Sequence, residues 1–220
     1  MNFLKMAQDV RLKSGVQGTG PSSAETTGYD QIFLVVVRDV WRDIQAAKKT
    51  WKWMRVGASF QIQLGKTTYT PAEVFGPNNR FKRYYDYTFY IQESGKKCPM
   101  RYVNYDYYIR KHSNDTNQCV PKEFTIRESD NALIFPTPNG VYWIFFDYHK
   151  TVQTLTAATD VPECPEDYHP IIVYGATASY CLSMSMAALQ QEYSQRFTES
   201  YDQMVREQVP RETFKIGGIV

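Results

Sequence analysis

The sequence lacks the segments and cysteine patterns that would direct a protein into a membrane or through a secretory pathway. No stretch approaches the roughly 20 consecutive apolar residues that a membrane-spanning helix needs. The N-terminus, MNFLKMAQDV, has no long apolar core of the kind found in signal peptides. The cysteines Cys98, Cys119, Cys164 and Cys181 are scattered and form no C-x-x-C pair. We therefore expect a soluble protein made inside a cell, with reduced thiols and no membrane partner.

Motifs for catalysis and cofactor binding are also missing. Gly65-Lys66-Thr67 resembles the end of a phosphate-binding loop, but Phe60 stands where that loop needs a glycine. The three histidines, His112, His149 and His169, lie far apart, and no H-E-x-x-H pair suggests zinc. No G-x-S-x-G nucleophile elbow is present either. We predict no catalytic residue, no metal site and no cofactor.

One acidic run needs a separate interpretation. Carboxylates cluster between positions 160 and 167, at Asp160, Glu163, Glu166 and Asp167. Such a run could bind calcium, but a solvated linker that ends in a helix cap is the simpler prediction.

The chain has little excess of either charge. Its 25 basic and 23 acidic residues give a net charge of +2, whereas a dedicated nucleic-acid-binding protein carries a basic excess. Basic and aromatic residues do alternate in RFKRYYDYTFY and in KKCPMRYVNYDYYIRK, a pattern found in proteins that bind single strands. Strand faces that combine Tyr with Lys or Arg for solubility explain the same pattern. Nucleic-acid binding is therefore an alternative function.

The first 50 residues have the spacing of two helices. Apolar residues recur every three or four positions over 3–13 and again over 29–50. Asn2 and Asp30 are the candidate N-caps. Between the helices, residues 14–28 are rich in Gly, Ser and Thr and predict a loop.

Residues 51–150 change to the alternation that is typical of strands. Phe60, Ile62 and Leu64 alternate with glutamines, and Gly65-Lys66 then predicts a hairpin turn toward the sequence TTYT. The turn Thr137-Pro138-Asn139-Gly140 predicts a second hairpin. Further strands are predicted over 81–91, 101–109, 124–126, 133–135 and 141–148. Together they indicate an antiparallel sheet or a small sandwich.

A helical pattern then runs over 166–208, a length of about 60 Å at 1.5 Å per residue. Asp167 is a candidate cap, and Pro170 would lie in the first turn, where its missing N–H costs little. Tyr193, Phe197 and Tyr201 continue one face at spacings of four. The second half of this helix is predicted to project from the body and to present these aromatic residues to a partner.

These patterns predict an α+β fold: a helical layer with one long C-terminal helix, and an antiparallel β-sheet or small sandwich inserted between the helices. We expect one domain over 1–220. Its parts are N-terminal helices and a loop (1–50), a β-rich body (51–150), the long helix (166–208) and a tail (209–220).

The tail, PRETFKIGGIV, combines apolar residues with a glycine pair. It is either a frayed terminus or an arm that orders on a partner. For the arm, the candidate contacts are Phe214, Ile216 and Ile219, with Gly217 and Gly218 as a hinge.

The short N-terminal helix with its Gly/Ser loop and four later segments carry a resemblance to a known family. The four segments are DIQAAKKTWKWM, FQIQLGKTTYTP, LIFPTPNGVYWIFFDYHK and DVPECPEDYHPIIVYGATASY. In this order the chain resembles the head-to-tail connector proteins, or adaptors, of tailed bacteriophages. The resemblance covers most of the chain, and residues 92–128 match least.

This resemblance implies a non-enzymatic virion protein, made in the host cytoplasm and located in the neck between capsid and tail. Such adaptors form a ring, usually of twelve copies, that contacts the portal protein and the tail or nozzle proteins. Double-stranded DNA meets the ring only as it passes through the channel. The resemblance also makes the C-terminal tail, with Tyr193, Phe197 and Tyr201, the candidate interface with the portal or the tail.

Three alternatives stay open. The chain could form another virion ring, such as a stopper or a tail terminator. It could instead be a nucleic-acid-binding module. A tail-spike or hydrolase-like enzyme is the third alternative, because paired catalytic carboxylates can be distant in sequence.

Overall fold

A computed structural model describes residues 1–77, 79–93, 95–112 and 117–210. The chain divides into two compact units. The helical unit contains Met1–Met54 and the residues from Val152 onward, and the β unit contains Arg55–Thr151. Each unit has a hydrophobic core of its own. The predicted α+β fold class is confirmed.

The helices are α1 (Phe3–Lys13), α2 (Gln31–Ala47), α3 (Pro71–Phe75), α4 (Tyr105–His112), α5 (His169–Ser183) and α6 (Ala187–Gln208). The strands are β1 (Arg55–Ile62), β2 (Thr68–Tyr69), β3 (Phe81–Tyr84), β4 (Tyr90–Glu93), β5 (Lys96–Pro99), β6 (Arg101–Tyr102), β7 (Glu123–Arg127), β8 (Ala132–Ile134) and β9 (Tyr142–Lys150).

The first two helices form where the sequence predicts them. The Asn2 side chain caps α1 by accepting a hydrogen bond from the Lys5 backbone N–H at 2.9 Å. Asp30 precedes α2 but makes no capping hydrogen bond, so that part of the prediction is wrong. Its carboxylate is instead engaged by the Arg11 guanidinium. Arg11 also donates to the carbonyl of Gln17, and so connects α1 to the predicted loop.

The single helix predicted over 166–208 is wrong, although a long C-terminal helix is present as α6. Antiparallel α5 and α6 form a hairpin, in which Tyr174 lies beside Tyr193 and the Tyr168 hydroxyl donates to the Glu207 carboxylate at 2.5 Å. Helix α5 begins at His169 with Pro170 in its first turn, as predicted. The preceding residues form a short 3₁₀ turn.

Asp167 lies in that 3₁₀ turn, and the predicted Asp167 cap is wrong because Tyr168 occupies the capping position.

The break between α5 and α6 is a Schellman turn. The Met186 N–H donates to the Cys181 carbonyl at 2.9 Å, and the Ser185 N–H donates to the Leu182 carbonyl at 3.2 Å. Ser185 adopts a left-handed conformation with a φ of 56°. Glycine usually occupies this position, so a serine there gives no stop signal in the sequence.

The described residues of the β unit form two sheets. In the larger one the order is β1-β9-β4-β5, and β3 also pairs with β9. In the smaller one the order is β2-β8-β7-β6, and only its β6–β7 pair is parallel. Buried aromatic and aliphatic residues from both sheets form one core, among them Phe60, Ile91, Phe124, Phe135 and Phe146.

Both predicted hairpins are wrong, because their strands pair with other partners. Strand β2 pairs with β8 rather than with β1. Strands β8 and β9 flank the turn at Thr137–Gly140 but belong to different sheets. A tight turn of this kind is therefore used here to pass from one sheet to the other.

The strand predicted over 101–109 is also wrong in most of its length. Only Arg101–Tyr102 is a strand, and the chain then turns into α4. The Asn104 side chain accepts the Asp106 N–H at 3.0 Å at the start of this helix. Tyr108 is buried and its ring lies 4.5 Å from that of His112, one turn later. Tertiary packing of this face overrides the strand preference of tyrosine.

The left-handed residue of the Schellman turn can be tested by substitution. Ser185→Gly should raise the free energy of unfolding by about 0.5–1 kcal/mol, because glycine adopts this conformation without steric cost. Ser183→Gly, two residues earlier in the last turn of α5, should lower it by about 1 kcal/mol. Urea unfolding followed by circular dichroism measures both, and a destabilised Ser185→Gly variant would contradict the assignment.

A buried histidine predicts loss of stability in mild acid. His149 is 1% exposed, and burial, with the charges of Arg83, Lys82 and Lys150, lowers its pKa to about 4. Unfolded histidine has a pKa near 6.5, so stability is complete above about pH 6.5 and is lost as the pH falls toward about 4. The loss should reach about 3 kcal/mol from His149. Burial also lowers the pKa of His169, which adds to the loss.

The measurement is urea unfolding at pH 7 and at pH 4.5 for the wild-type protein and for His149→Gln. The variant should be less sensitive to the change in pH, because the group that resists protonation is gone. Equal sensitivity in the two proteins would show that His149 does not control the acid response.

Candidate interaction surfaces

The helical unit carries a groove between α2, α5 and α6, which we call the helical groove. It encloses about 530 Å³. Its lining is mostly apolar or small, with one carboxylate: Val40, Asp43, Ile44, Ala47, Gly175, Ala178, Ser194, Phe197, Thr198 and Tyr201.

Gly175 permits the close approach of the three helices at this groove. A Cβ atom at Gly175 would lie 2.8 Å from Val40 Cγ1 and 2.9 Å from Phe197 Cδ2, both shorter than van der Waals contact. Any side chain at this position would push α2 or α6 away from α5. Gly175 lies inside a helix, where glycine is unfavourable by about 0.5–1 kcal/mol relative to alanine. The close packing of Val40 and Phe197 explains why a glycine is present there.

The sequence predicts three aromatic residues for an interface, and the structure places two of them, Phe197 and Tyr201, in the helical groove but not Tyr193. Phe197 and Tyr201 stack with ring centroids 5.5 Å apart and line the helical groove. Trp51 meets Tyr201 edge-on at 6.2 Å. Tyr193 is 8% exposed and lies outside the groove lining, with the guanidinium of Arg196 over its ring at 5.5 Å. Burial raises the pKa of both tyrosines.

This stripe does not project from the body, and that expectation is wrong. Met204 belongs to the core of the helical unit, and Phe197 and Tyr201 pack against it. Tyr193 is buried as well. Only the exposed parts of Phe197 and Tyr201 remain for a partner. The other predicted contacts, Phe214, Ile216, Gly217, Gly218 and Ile219, lie outside the described residues.

A second surface is the outward face of the larger sheet, to which Tyr87 and Tyr90 of the segment RFKRYYDYTFY and Lys97 of the segment KKCPMRYVNYDYYIRK contribute. In β9 the residues alternate, so that Ile144 and Phe146 enter the core while Trp143 and Phe145 face outward. Tyr90 of β4 lies directly opposite Phe145. We call this surface, with Arg55, Tyr85, Tyr87, Tyr90, Lys97, Trp143 and Phe145, the open sheet face.

The open sheet face is concave because small residues lie between larger ones. It encloses about 860 Å³ above Gly57 and Ser59 of β1. Tyr87 is 69% exposed and Trp143 is 43% exposed. A surface that combines exposed aromatic residues with cations has the composition of a protein interface.

The cations of this face are held over aromatic rings. The Lys97 ammonium lies 3.8 Å from the centroid of the Phe145 ring. The Arg55 guanidinium lies 4.8 Å from the Tyr85 ring, and its Nε donates to Asp147 Oδ2 at 2.7 Å. Such contacts contribute about 0.5–1 kcal/mol each at exposed sites and fix the direction of the cation. The face therefore presents cations in defined positions.

The acidic run has a structural role at one of its residues. Asp160 accepts the backbone N–H groups of Thr156 and Ala157 at 2.7 and 2.8 Å, which stabilises a turn and lowers the pKa of Asp160. Across residues 1–77, 79–93, 95–112 and 117–210, no group of three or more His, Cys, Asp or Glu side chains could hold a metal ion.

Cys164 is a buried cysteine. Burial raises the pKa of Cys164 to about 12, so its thiol is protonated at neutral pH.

Within the part of the chain that the structure describes, every helix is too short or too polar to cross a bilayer.

Comparison with known proteins identifies the family. No curated protein matches the chain. The model of the family described as SU10 adaptor protein matches residues 1–214, and so includes both units. This match confirms the resemblance found in the sequence. The chain therefore belongs to the SU10 adaptor protein family, and it is a structural adaptor protein of a bacteriophage virion that serves in tail assembly.

Proposed function

We propose that this adaptor forms a ring of twelve copies that joins the portal vertex of the capsid to the tail. The ring extends the channel for double-stranded DNA and offers a landing surface to tail or nozzle proteins. It is assembled from protein made in the host cytoplasm, and the protein has no catalytic activity. The observation that carries the proposal is the family match over residues 1–214.

The surfaces of the two units support this proposal. The helical groove and the open sheet face both expose aromatic residues that a partner could cover. Ring proteins need at least two such surfaces, because each copy contacts two neighbours through different patches. The two units together act as one adaptor domain over 1–220.

The C-terminal tail is proposed as the arm that enters a groove on the portal. Phe214, Ile216 and Ile219 supply the apolar contacts, and Gly217-Gly218 is the hinge. The helical groove, with Phe197 and Tyr201, adds a second contact to the portal.

Mixing the protein with its portal tests the assembly. Electron microscopy of the mixture should show a ring of twelve copies on the narrow end of the portal. Deletion of residues 211–220 should abolish this docking and leave the circular dichroism spectrum and the unfolding midpoint unchanged. A protein that stays monomeric and ignores the portal would contradict the proposal. A ring that docks onto tail tubes instead would favour a stopper or a tail terminator, and normal docking by the deletion variant would exclude the arm.

A charge at the rim of the helical groove tests the groove separately. Thr198 is exposed and lines the groove, so Thr198→Arg should weaken portal docking at least about tenfold, since an uncompensated buried charge costs more than 1.4 kcal/mol. Gln195→Arg is the matched control, because Gln195 is exposed on the same helix but does not line the groove. The measurement is a titration of labelled adaptor onto immobilised portal. Equal affinities of the two variants would exclude the groove from the contact.

A further inference from the structure

The charges of this chain are divided unevenly between its parts. Residues 55–151, the β unit, contain 13 basic and 9 acidic residues. The rest of the chain contains 12 basic and 14 acidic residues. The segment 151–195 has no Lys or Arg at all and contains five acidic residues: Asp160, Glu163, Glu166, Asp167 and Glu192. A net charge near zero thus conceals a basic unit and an acidic segment.

The acidic segment presents two carboxylates at a fixed turn, Pro165–Asp167, which we call the acidic turn. All three of its residues are exposed, and the Glu166 side chain is 85% exposed. The residues on either side, Cys164 and Tyr168, are buried, which holds the turn in place. Glu166 pairs with the N-terminal amine at 3.2 Å, whereas no ion pair of the described residues contains Asp167.

The open sheet face carries the complementary groups. The Lys97 ammonium rests on Phe145, and no ion pair of the described residues contains it. Arg55 is held by Asp147 and by Tyr85. The concave floor at Gly57 and Ser59 leaves room for a protruding turn. The exposed Tyr87 and Tyr90 rings are suitable partners for the apolar ring of a proline.

At two rings of this face, Phe145 and Tyr85, bound cations favour a carboxylate over a stacked nucleic-acid base. Bases bind single-strand-binding proteins by stacking on free aromatic faces. Here Lys97 covers a face of Phe145, and Arg55 and Arg83 both lie over Tyr85, at 4.8 and 5.5 Å. What this surface offers is positioned N–H donors, which suit carboxylates.

We propose that the acidic turn of one copy docks on the open sheet face of a neighbouring copy, with Asp167 beside Lys97. The contact joins two different patches, so each copy can donate its turn to one neighbour and receive a turn from the other. Contacts of this kind close into a ring when the rotation from one copy to the next closes, as it does in the proposed ring. The inference rests on the proposed ring and names the surfaces that would join its subunits.

Charge reversal with rescue tests this contact. Lys97→Glu and Asp167→Lys should each weaken self-association about tenfold or more at 50 mM salt, because like charges then face each other across the interface. The double variant Lys97→Glu/Asp167→Lys restores the opposite charges and should recover most of the wild-type association. The readout is the distribution of oligomers by sedimentation velocity and mass photometry, with and without the portal.

Matched controls separate this contact from a general effect of charge. Lys96→Glu reverses the neighbouring residue of β5, whose side chain alternates to the other face of the sheet. Glu25→Lys reverses an exposed carboxylate elsewhere in the helical unit. Both controls should associate like the wild type, and the unfolding midpoint of every variant should stay well above the temperature of the assay.

The outcomes distinguish this inference from the proposed function. Rings that form normally with Lys97→Glu or Asp167→Lys would overturn the inference and leave the ring standing. Failure of the double variant to recover, while both single variants fail, would also overturn it. Loss of single-stranded DNA binding by Lys97→Glu, with association intact, would assign the face to nucleic acid instead. A wild-type protein that is monomeric even on the portal would overturn both proposals.

Discussion

A left-handed backbone conformation at Ser185 folds the last two helices back on each other, and the helical unit depends on this turn. Without it, α5 and α6 would continue as one rod, and Tyr193 and Met204 would face solvent. With it, both are buried. The return of α6 also brings Phe197 against Gly175, where only a hydrogen atom fits. The groove between the three helices is a consequence of that close approach.

In the β unit, the corresponding constraint is the alternation of side chains in β9. One set, Ile144 and Phe146, is in the core between the sheets, so the other set must face outward. An outward position costs little for Asp147, but Trp143 and Phe145 there leave apolar surface exposed. The Lys97 ammonium over the Phe145 ring covers part of that surface and remains polar toward solvent. A face built in this way keeps polar groups toward solvent and can still bind a partner.

Much of the fold was predictable because it depends on local patterns. Helical spacing and the Asn2 cap gave α1, and period-two alternation gave β1 and β9. The errors came where contacts distant in sequence decide the result. The sequence of the Thr137–Gly140 turn does not indicate that its two strands belong to different sheets. The residues around Ser185 likewise contain no local signal for the end of a helix. The spacing of Phe197 and Tyr201 is a local pattern, and it predicts that they share one helix face. The open sheet face forms only when β1, β4, β5 and β9 pair, so a local pattern does not predict it.

The corrected helix also changes the argument for assembly. A rod too long for its own unit would have to bury its faces on neighbours, but α6 is already covered by α5 over much of its length. The need for partners therefore does not come from unsatisfied core residues. In the contact that we propose, it comes from positioned cations and exposed rings on one unit and a fixed acidic turn on the other. Contacts of that kind are weak singly and depend on salt. In the ring that we propose, such contacts would repeat around the ring and add up, so that subunits would assemble only when several contacts form together.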